Sequence, residues 1–298
     1  MVHIDSGEVE EYLESLRVRK LSPATVQQSG YMLNLLLGFL DGRGIRLQDA
    51  AMADVEAYRL MLGERKYAAM TVARCMTVVR LFFRWLEQRQ KIFLNPAEGL
   101  VVGRVVRPIL FVPSRAQVKL LLAQPDVSRP LGVRDRAFLE VLYSTGARLQ
   151  EMMALGLSDP DLTRGVLRLM GKGRKERMVP LGRQAVHWLR KYLREARPRL
   201  VGENVDEPAL WVGGNTRRKA GGQALQRQLQ TYSRRCGLPS LSPHALRRAC
   251  ATHMLANGAH PVQIQMLLGH AGMNTLGQYL RVTITDLRKA HKRSKPGR

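Results

Sequence analysis

The chain is poor in cysteine, in acidic residues and in aromatic residues, and it has no long apolar run. Its three cysteines, Cys75, Cys236 and Cys250, lie far apart and include no Cys-x-x-Cys pair. This spacing argues against a disulfide framework and against a zinc site, and it fits a reducing cytoplasm. No apolar run is long enough to cross a bilayer, and no signal-peptide pattern opens the sequence. We therefore expect a cytoplasmic protein without a membrane span.

The shortage of acidic residues leaves the chain strongly basic, with 24 Asp and Glu against 48 Lys and Arg and a net charge of +24. The excess is uneven: residues 1–100 hold 13 basic and 12 acidic side chains, and residues 101–298 hold 35 and 12, a difference of +23. A surface this positive gains free energy by displacing counterions from a polyanion. Nucleic acid is the expected partner. A basic protein without such a partner, or one that binds a membrane surface, stays open on charge alone.

The length of 298 residues predicts two domains, and the first is helical. Apolar spacing predicts helices over residues 8–18, 23–40 and 52–63, and a fourth from Thr71. Ser22 is the expected N-cap of the second helix, with a proline in its first turn. The predicted buried stripe of the fourth helix consists of Val72, Met76, Val79, Phe83 and Leu86. Three arginines lie off this stripe and either contact DNA phosphates or are simply solvated: Arg74, Arg80 and Arg84.

The second domain is predicted to follow a linker over residues 99–113, which is rich in glycine, arginine and proline. Ser114 is the expected cap of the next helix, and helical patterns fill most of the remaining chain. The exception is GVLRLMGKGRKERMVP at residues 165–180, where two short apolar segments flank a basic turn. This pattern predicts a β-hairpin. The expected fold is therefore mainly α, with a small β-hairpin or sheet in the second domain.

Four local clusters in the second domain can together cleave a phosphodiester without a metal ion. That reaction needs a nucleophile, cations that bind the non-bridging oxygens, and a proton donor for the leaving oxygen. Each cluster alone is a weak signal. The clusters are Thr145-Gly-Ala-Arg148-Leu-Gln-Glu151, Gly171-Lys172-Gly173-Arg174-Lys175, His244-Ala-Leu-Arg247, and Leu268-Gly-His270 with Tyr279 nine residues later.

Arg148 and Arg247 are the candidates for binding the phosphate, because paired guanidinium N–H groups match its oxygens better than a lysine does. Glu151 lies one helical turn after Arg148 and can hold it in place. The alternative is an exposed ion pair at i,i+3, which is common and weak. His244 shares a helix face with Arg247, and it can bind a non-bridging oxygen or assist proton transfer.

The predicted hairpin turn contributes cations. Lys172 can protonate the leaving 5′ oxygen, and Lys175 is the competing candidate. Arg174 and Arg177 are expected to contact backbone phosphates, and the whole turn can equally be a basic hairpin that only touches DNA. His270 follows a glycine, which predicts a helix end or a tight turn that exposes the imidazole, where it can contact the phosphate or orient the tyrosine.

Tyr279 alone would be assigned to the core. The ordered set, however, resembles the tyrosine recombinase, or phage integrase, family, and its Xer-type bacterial members in particular, over nearly the whole chain. The resemblance implies a two-domain C-shaped DNA clamp, in which residues 1–98 form a helical, SAM-like core-binding domain and residues 114–298 form the catalytic domain with a basic C-terminal tail. Arg248 departs from the family pattern, since many relatives have a histidine there.

The resemblance also implies the chemistry. Tyr279 is the nucleophile of a catalytic set that attacks DNA to give a 3′-phosphotyrosyl enzyme without any cofactor. The implied partner is double-stranded DNA carrying a specific recombination site, bound by a homo- or hetero-tetramer in the bacterial cytoplasm at the nucleoid. The outcome is site-specific recombination, as in integration, excision, resolution or transposition. The implied catalytic residues are Arg148, Lys172, His244, Arg247, His270 and Tyr279.

Two other functions use the same residues or the same fold. A type IB topoisomerase would relax DNA by rejoining the original strand, and a non-catalytic DNA-binding protein would keep only the fold. The target sequence, the accessory partners and the choice among chromosomal, phage, integron and transposon roles are not encoded in short motifs.

Overall fold

The computed structural model of the chain describes residues 6–100, 110–171, 176–214 and 217–269. By its internal contacts the chain divides into two units, residues 1–109 and residues 110–298. Each unit has its own apolar core.

Within residues 6–100 the first unit has four α-helices, as the apolar spacing predicted. The N-cap prediction for the second helix is confirmed, because the Ser22 hydroxyl accepts the backbone N–H of Thr25 at 3.2 Å. The fourth helix begins two residues before the predicted Thr71. The helices are α1 (Ser6–Val18), α2 (Pro23–Asp41), α3 (Met52–Glu64) and α4 (Ala69–Gln88), with a 3₁₀ turn at Leu47–Asp49 between α2 and α3.

The core of the first unit is built around the apolar face of α4. Of the predicted stripe, Val72 is only half-buried, and the other four residues are buried. Phe82 adds a large side chain that the stripe did not include, and its ring packs edge-on against Tyr12 of α1 at 5.2 Å between centroids. Burial of these apolar side chains is the main force that holds the four helices together.

The second unit consists of eight helices and three strands within the described ranges. The predicted cap at Ser114 is confirmed, since its hydroxyl accepts the N–H of Gln117 at 3.2 Å and the Gln117 side chain accepts the N–H of Ser114 at 2.8 Å. The helices are α5 (Arg115–Leu122), α6 (Pro130–Thr145), α7 (Leu149–Ala154), α8 (Arg183–Lys191), α9 (Arg197–Val201), α10 (Gly222–Arg235), α11 (Pro243–Ala256) and α12 (Pro261–Leu268); a π-helical turn, Tyr192–Ala196, joins α8 to α9.

The strands are β1 (Pro160–Asp161), β2 (Val166–Met170) and β3 (Glu176–Pro180), and they pair antiparallel in the order β1-β2-β3. The predicted hairpin is thus present in β2 and β3, whereas β1 was not predicted. The register of β2 and β3 pairs Leu167 with Val179 and Leu169 with Arg177. Side chains alternate between the faces of a strand, so these four residues lie on the face that packs against the core.

Helix α6 runs through the centre of the second unit and packs against α8 and α11. The buried ring of Trp211 packs against the rings of Phe138 of α6 and of Tyr192, at 5.3 and 5.5 Å between centroids. Asp135 joins α6 to α10, because its carboxylate accepts hydrogen bonds from Arg134 and from the Tyr232 hydroxyl. These contacts fix α6, whose C-terminal end leads into the candidate site.

The fold is mainly helical with one small antiparallel sheet, as predicted. In the parts of the chain that the structure describes, no helix is both long and apolar enough to span a membrane.

Candidate active site

The end of α6 and the start of α7 place Arg148. Helix α6 ends at Gly146, whose φ of 59° is left-handed and therefore suits glycine. A side chain at this position would also lie 2.6 Å from the buried Leu268 of α12. The Thr145 hydroxyl accepts the N–H of Ala147 at 3.2 Å and closes the turn. Arg148 then sits at the N-cap of α7 in an extended conformation.

Glu151 is a buried carboxylate shared by two arginines. It accepts the Arg148 backbone N–H at 2.8 Å and the Arg148 side chain at 2.9 Å. Arg177 of β3 donates to both carboxylate oxygens, at 3.0 and 2.7 Å. Only 5% of the Glu151 side chain is exposed, against 37% for Arg148. The pair is therefore not the exposed i,i+3 ion pair that the sequence left as an alternative. Burial alone would raise the pKa of Glu151, but Arg177 and Arg148 outweigh it and hold the pKa below its usual range.

The sequence predicted that Arg177 contacts DNA phosphates, but in this structure its guanidinium binds groups within the protein. Its side chain is only 15% exposed, and its Nε donates to the Leu267 carbonyl at 3.0 Å, in addition to the two bonds to Glu151. The register of the hairpin is the physical reason, because Arg177 lies opposite Leu169 on the inner face of the sheet.

Helix α11 carries both His244 and Arg247. Arg247 is 3% exposed, and its guanidinium donates to two backbone carbonyls, that of Gly146 at 2.5 Å and that of Leu268 at 2.7 Å. The side chain therefore bridges the end of α6 and the end of α12. Carbonyls at helix ends lack intrahelical partners and carry partial negative charge, which makes them good acceptors for a guanidinium.

His244 is exposed in the first turn of α11. Desolvation lowers the pKa of its imidazole below 6.5, and the positive charges of Arg247, Arg248 and Arg148 lower it further. The positive end of the α11 dipole acts in the same direction. At neutral pH the imidazole is therefore uncharged, so it can accept a proton.

The C-terminal end of α12 is where the three arginines meet. The carbonyls of three successive residues accept their guanidinium groups: Leu267 from Arg177 at 3.0 Å, Leu268 from Arg247 at 2.7 Å and Gly269 from Arg148 at 3.4 Å. Gly269 ends the helix with a left-handed φ of 64°, which suits glycine. Side chains from the start of α7, from β3 and from α11 thus bind the last turn of α12, directly before His270 in the sequence.

Several predicted residues lie outside the described residues, and the structure gives no position for them: Lys172, Arg174, Lys175, His270 and Tyr279. Their chain neighbours are described. Gly171 and Glu176 flank the basic segment 172–175 in the sequence, and Gly269 precedes His270. The structure therefore brings together Arg148, Glu151, His244 and Arg247 from the predicted set.

The three arginines predicted to contact DNA in the first unit lie on α4. Arg74 and Arg84 are exposed and Arg80 is half-buried. No ion-pair partner is found for them in the described part of the chain. Their positions fall within about 120° of the helix surface, opposite the buried stripe, since each residue advances by about 100°. Whether this face contacts DNA stays a prediction.

Sequence reasoning missed the structural role of Arg177, although a signal was present. In ERMVP at residues 176–180, Arg177 and Val179 are two residues apart, so a strand places both on one face. The buried Val179 would have indicated an inward-facing arginine. Groups of three or more His, Cys, Asp or Glu that could hold a metal ion are absent among the described residues.

Two family models match the sequence. That of the phage integrase family matches residues 114–285, and that of the phage integrase N-terminal SAM-like domain matches residues 9–90. Tyrosine recombinase XerD of Pseudomonas aeruginosa is 36% identical over 296 residues, which cover 97% of each chain. Tyrosine recombinase XerD of Yersinia pestis is 35% identical and covers 98% of each chain.

Solved structures share the fold. The XerH site-specific recombinase bound to a palindromic difH substrate, in a post-cleavage complex, has a TM-score of 0.77 at 18% identity, covering 98% of this chain and 84% of that one. A lambda integrase dimer bound to a COC′ core site has a TM-score of 0.71 at 17% identity, covering 92% and 76%. The chain therefore belongs to the phage integrase family and is a site-specific recombinase of the tyrosine type.

Proposed function

We propose that this recombinase cuts one strand of duplex DNA with Tyr279, forming a 3′-phosphotyrosyl bond and releasing a 5′-hydroxyl. The observation that carries the proposal is the meeting of Arg148 and Arg247 at the end of α12. His244 lies near enough to both arginines for their charges to lower its pKa. Three groups suited to phosphate chemistry thus come together from two chain segments distant in sequence.

Arg148 and Arg247 are the proposed phosphate-binding pair. A phosphate under attack develops extra negative charge on its non-bridging oxygens, and guanidinium groups fixed in advance stabilise that charge without reorganising. Glu151 fixes Arg148, and the carbonyls of Gly146 and Leu268 fix Arg247. A cation catalyses the reaction when it binds the transition state more strongly than the bound substrate, and this requires a fixed position.

Proton transfers complete the proposed cleavage. Attack by the Tyr279 oxygen on phosphorus breaks the bond to the 5′ oxygen, which takes a proton from Lys172, or from Lys175 as the alternative. An uncharged His244 can accept the phenolic proton or bind a non-bridging oxygen. His270 is proposed either to contact the phosphate or to orient Tyr279.

Rejoining follows when the 5′-hydroxyl of a partner strand attacks the phosphotyrosyl bond. The energy of the phosphodiester is retained in the covalent intermediate, so the proposed reaction needs neither ATP nor a divalent cation.

The proposed partner is double-stranded DNA with a specific recombination site, in the bacterial cytoplasm at the nucleoid. Residues 1–98 are assigned to binding the core of the site and residues 114–298 to catalysis. Assembly into a tetramer is supported by a lambda integrase of the same fold, which has been solved as a tetramer bound to a Holliday junction. Arg74, Arg80, Arg84, Arg174 and Lys175 are the proposed phosphate contacts.

A suicide substrate tests the proposal. A site is first selected from a randomised duplex pool with the wild-type protein, and it is then nicked so that cleavage releases a short fragment and traps the adduct. We expect a covalent adduct with the wild type, and none with Tyr279→Phe at unchanged DNA affinity. Tyr31→Phe is the matched control, because Tyr31 is exposed in the first unit. An adduct that persists in Tyr279→Phe would show that another residue is the nucleophile.

A further inference from the structure

Arg177 connects three parts of the candidate site. It lies on β3, two residues after the basic segment 172–175 in the sequence, and it contacts Glu151 of α7 and the end of α12. The sequence predicted only that it touches DNA.

All three nitrogens of the Arg177 guanidinium donate hydrogen bonds within the protein. Two nitrogens donate to the two oxygens of Glu151, and Nε donates to the Leu267 carbonyl. A bidentate pair of this kind fixes the carboxylate in direction as well as in distance. A lysine could supply the charge, but it lacks the planar fork that serves both partners at once.

The fit around Arg177 is close. A side chain at Gly269 would begin 3.0 Å from the guanidinium carbon, so the guanidinium packs directly against the backbone that ends α12. Glu151, held by Arg177, in turn holds Arg148 at 2.9 Å. Without Arg177, the Glu151 carboxylate would keep one arginine partner, and the Leu267 carbonyl would lose this donor.

We infer that Arg177 is a positioning residue, which aligns Arg148 through Glu151 and fixes the end of α12 for strand cleavage. This inference rests on the proposed function, in which Arg148 binds the phosphate and His270 follows the end of α12. Arg177 itself touches neither the DNA nor the reacting atoms in this account.

The test compares Arg177→Gln and Arg177→Lys with Arg168→Gln in the full chain. Arg168 is the matched control because it lies on the neighbouring strand and pairs with Asp159, but it is 43% exposed and faces away from Glu151. Arg177→Lys keeps the positive charge beside Glu151 and the net charge of the protein. It therefore tests whether the planar guanidinium, rather than the charge alone, is needed. The readouts are the rate of adduct formation on the selected nicked duplex at saturating protein, the Kd for the same duplex, and hydrogen exchange of residues 261–269.

We expect Arg177→Gln to lower the adduct rate about 10²-fold, the loss expected for a small displacement of a catalytic group, with Arg177→Lys between it and the wild type. The Kd should stay unchanged, and exchange of residues 261–269 should rise in both variants. Arg177 also lowers the pKa of Glu151, so its loss should move the fall of the adduct rate in acid, the acid limb, to higher pH. A destabilised protein also unfolds at higher pH, so the rate is divided by the folded fraction measured at each pH, and the shift should remain after this division. Arg168→Gln should match the wild type throughout.

Adduct rates of both Arg177 variants equal to that of Arg168→Gln would overturn the inference. The inference would also be overturned if the folded fraction at each pH accounts for the whole loss of rate, with no remaining shift of the acid limb. Absence of any adduct from the wild-type protein would contradict the proposed function instead. Hydrogen exchange still tests the anchoring in that case, since unchanged exchange of residues 261–269 without Arg177 overturns the inference whatever the wild type does.

Discussion

The carboxylate of Glu151 accepts both the backbone N–H and the guanidinium of Arg148, at 2.8 and 2.9 Å. Because Glu151 is buried, this relationship holds Arg148 at the start of α7 while leaving part of its side chain exposed. The stability of the second unit and the position of a proposed phosphate ligand therefore depend on the same carboxylate.

Glu151→Gln should destabilise the protein in a pH-dependent way. Removal of one partner of a buried ion pair costs about 3 kcal/mol or more at neutral pH. The folded pKa of Glu151 lies below its ordinary 4.5, so its stabilisation is fully present above that value and is lost as the pH falls through the lower folded pKa. The measurement is the free energy of urea unfolding of both proteins from neutral to acid pH.

The wild type should approach the variant in stability only on the acid side. Glu176→Gln is the control on β3, because Glu176 is 53% exposed and lies 3.9 Å from its partner Arg168. A constant difference between wild type and Glu151→Gln across the pH range would show that ionised Glu151 is not what stabilises the site.

Gly146→Ala should weaken both folding and cleavage. The left-handed backbone costs alanine about 1–2 kcal/mol, and the added methyl would meet Leu268 at the end of α12. Gly38→Ala is the control, since Gly38 lies within α2 with open space around it and should gain up to about 1 kcal/mol from helix propensity. Thermal unfolding and the adduct rate measure both effects. Equal stability of the two variants would contradict the packing described here.

The imidazole of His244 should titrate below 6.5 in the folded protein. Desolvation is the first cause, and Arg148 is one of three arginines that add to it, so Arg148→Gln should raise this pKa. NMR titration of the imidazole signals measures the change, with Arg74→Gln as a control outside the site. A His244 pKa above 6.5, or one indifferent to Arg148, would place these groups farther apart than the structure does.

Much of the fold could be predicted because its signals are local. Caps at Ser22 and Ser114 and the paired apolar segments of β2 and β3 each involve a few neighbouring residues. β1 escaped prediction because two residues are too few to show an alternation. The π-helical turn after α8 also escaped, since it does not change the overall helical spacing.

The site was predicted in part for the same reason. Arg148 and Glu151 are neighbours on one turn, so their contact followed from spacing. The bonds from Arg177 and Arg247 to the end of α12 join residues far apart in the chain, and only tertiary packing brings them together. Gly146 and Leu268 likewise touch only in the folded unit.

DNA binding should weaken steeply with salt, because each phosphate contact releases counterions with a slope of about −0.9 in log affinity against log salt. Replacing Arg74, Arg80 and Arg84 together by glutamine should reduce the slope by about 2 to 3. Arg17, Arg46 and Arg59 form the matched control triple, since each pairs with a neighbouring carboxylate. Fluorescence anisotropy with the selected duplex gives both slopes. Equal slopes for the two triple variants would remove α4 from the proposed DNA surface.

The nucleophile is tested most directly by locating the DNA link in the chain. Trypsin should release residues 249–281 as one peptide, because no lysine or arginine lies between Arg248 and Arg281, and Tyr279 is its one tyrosine. After nuclease digestion of the trapped adduct, tandem mass spectrometry should find the nucleotide phosphate on Tyr279, with the released DNA strand ending in a 5′-hydroxyl. A phosphate on any other residue, or a released 5′-phosphate, would contradict the account.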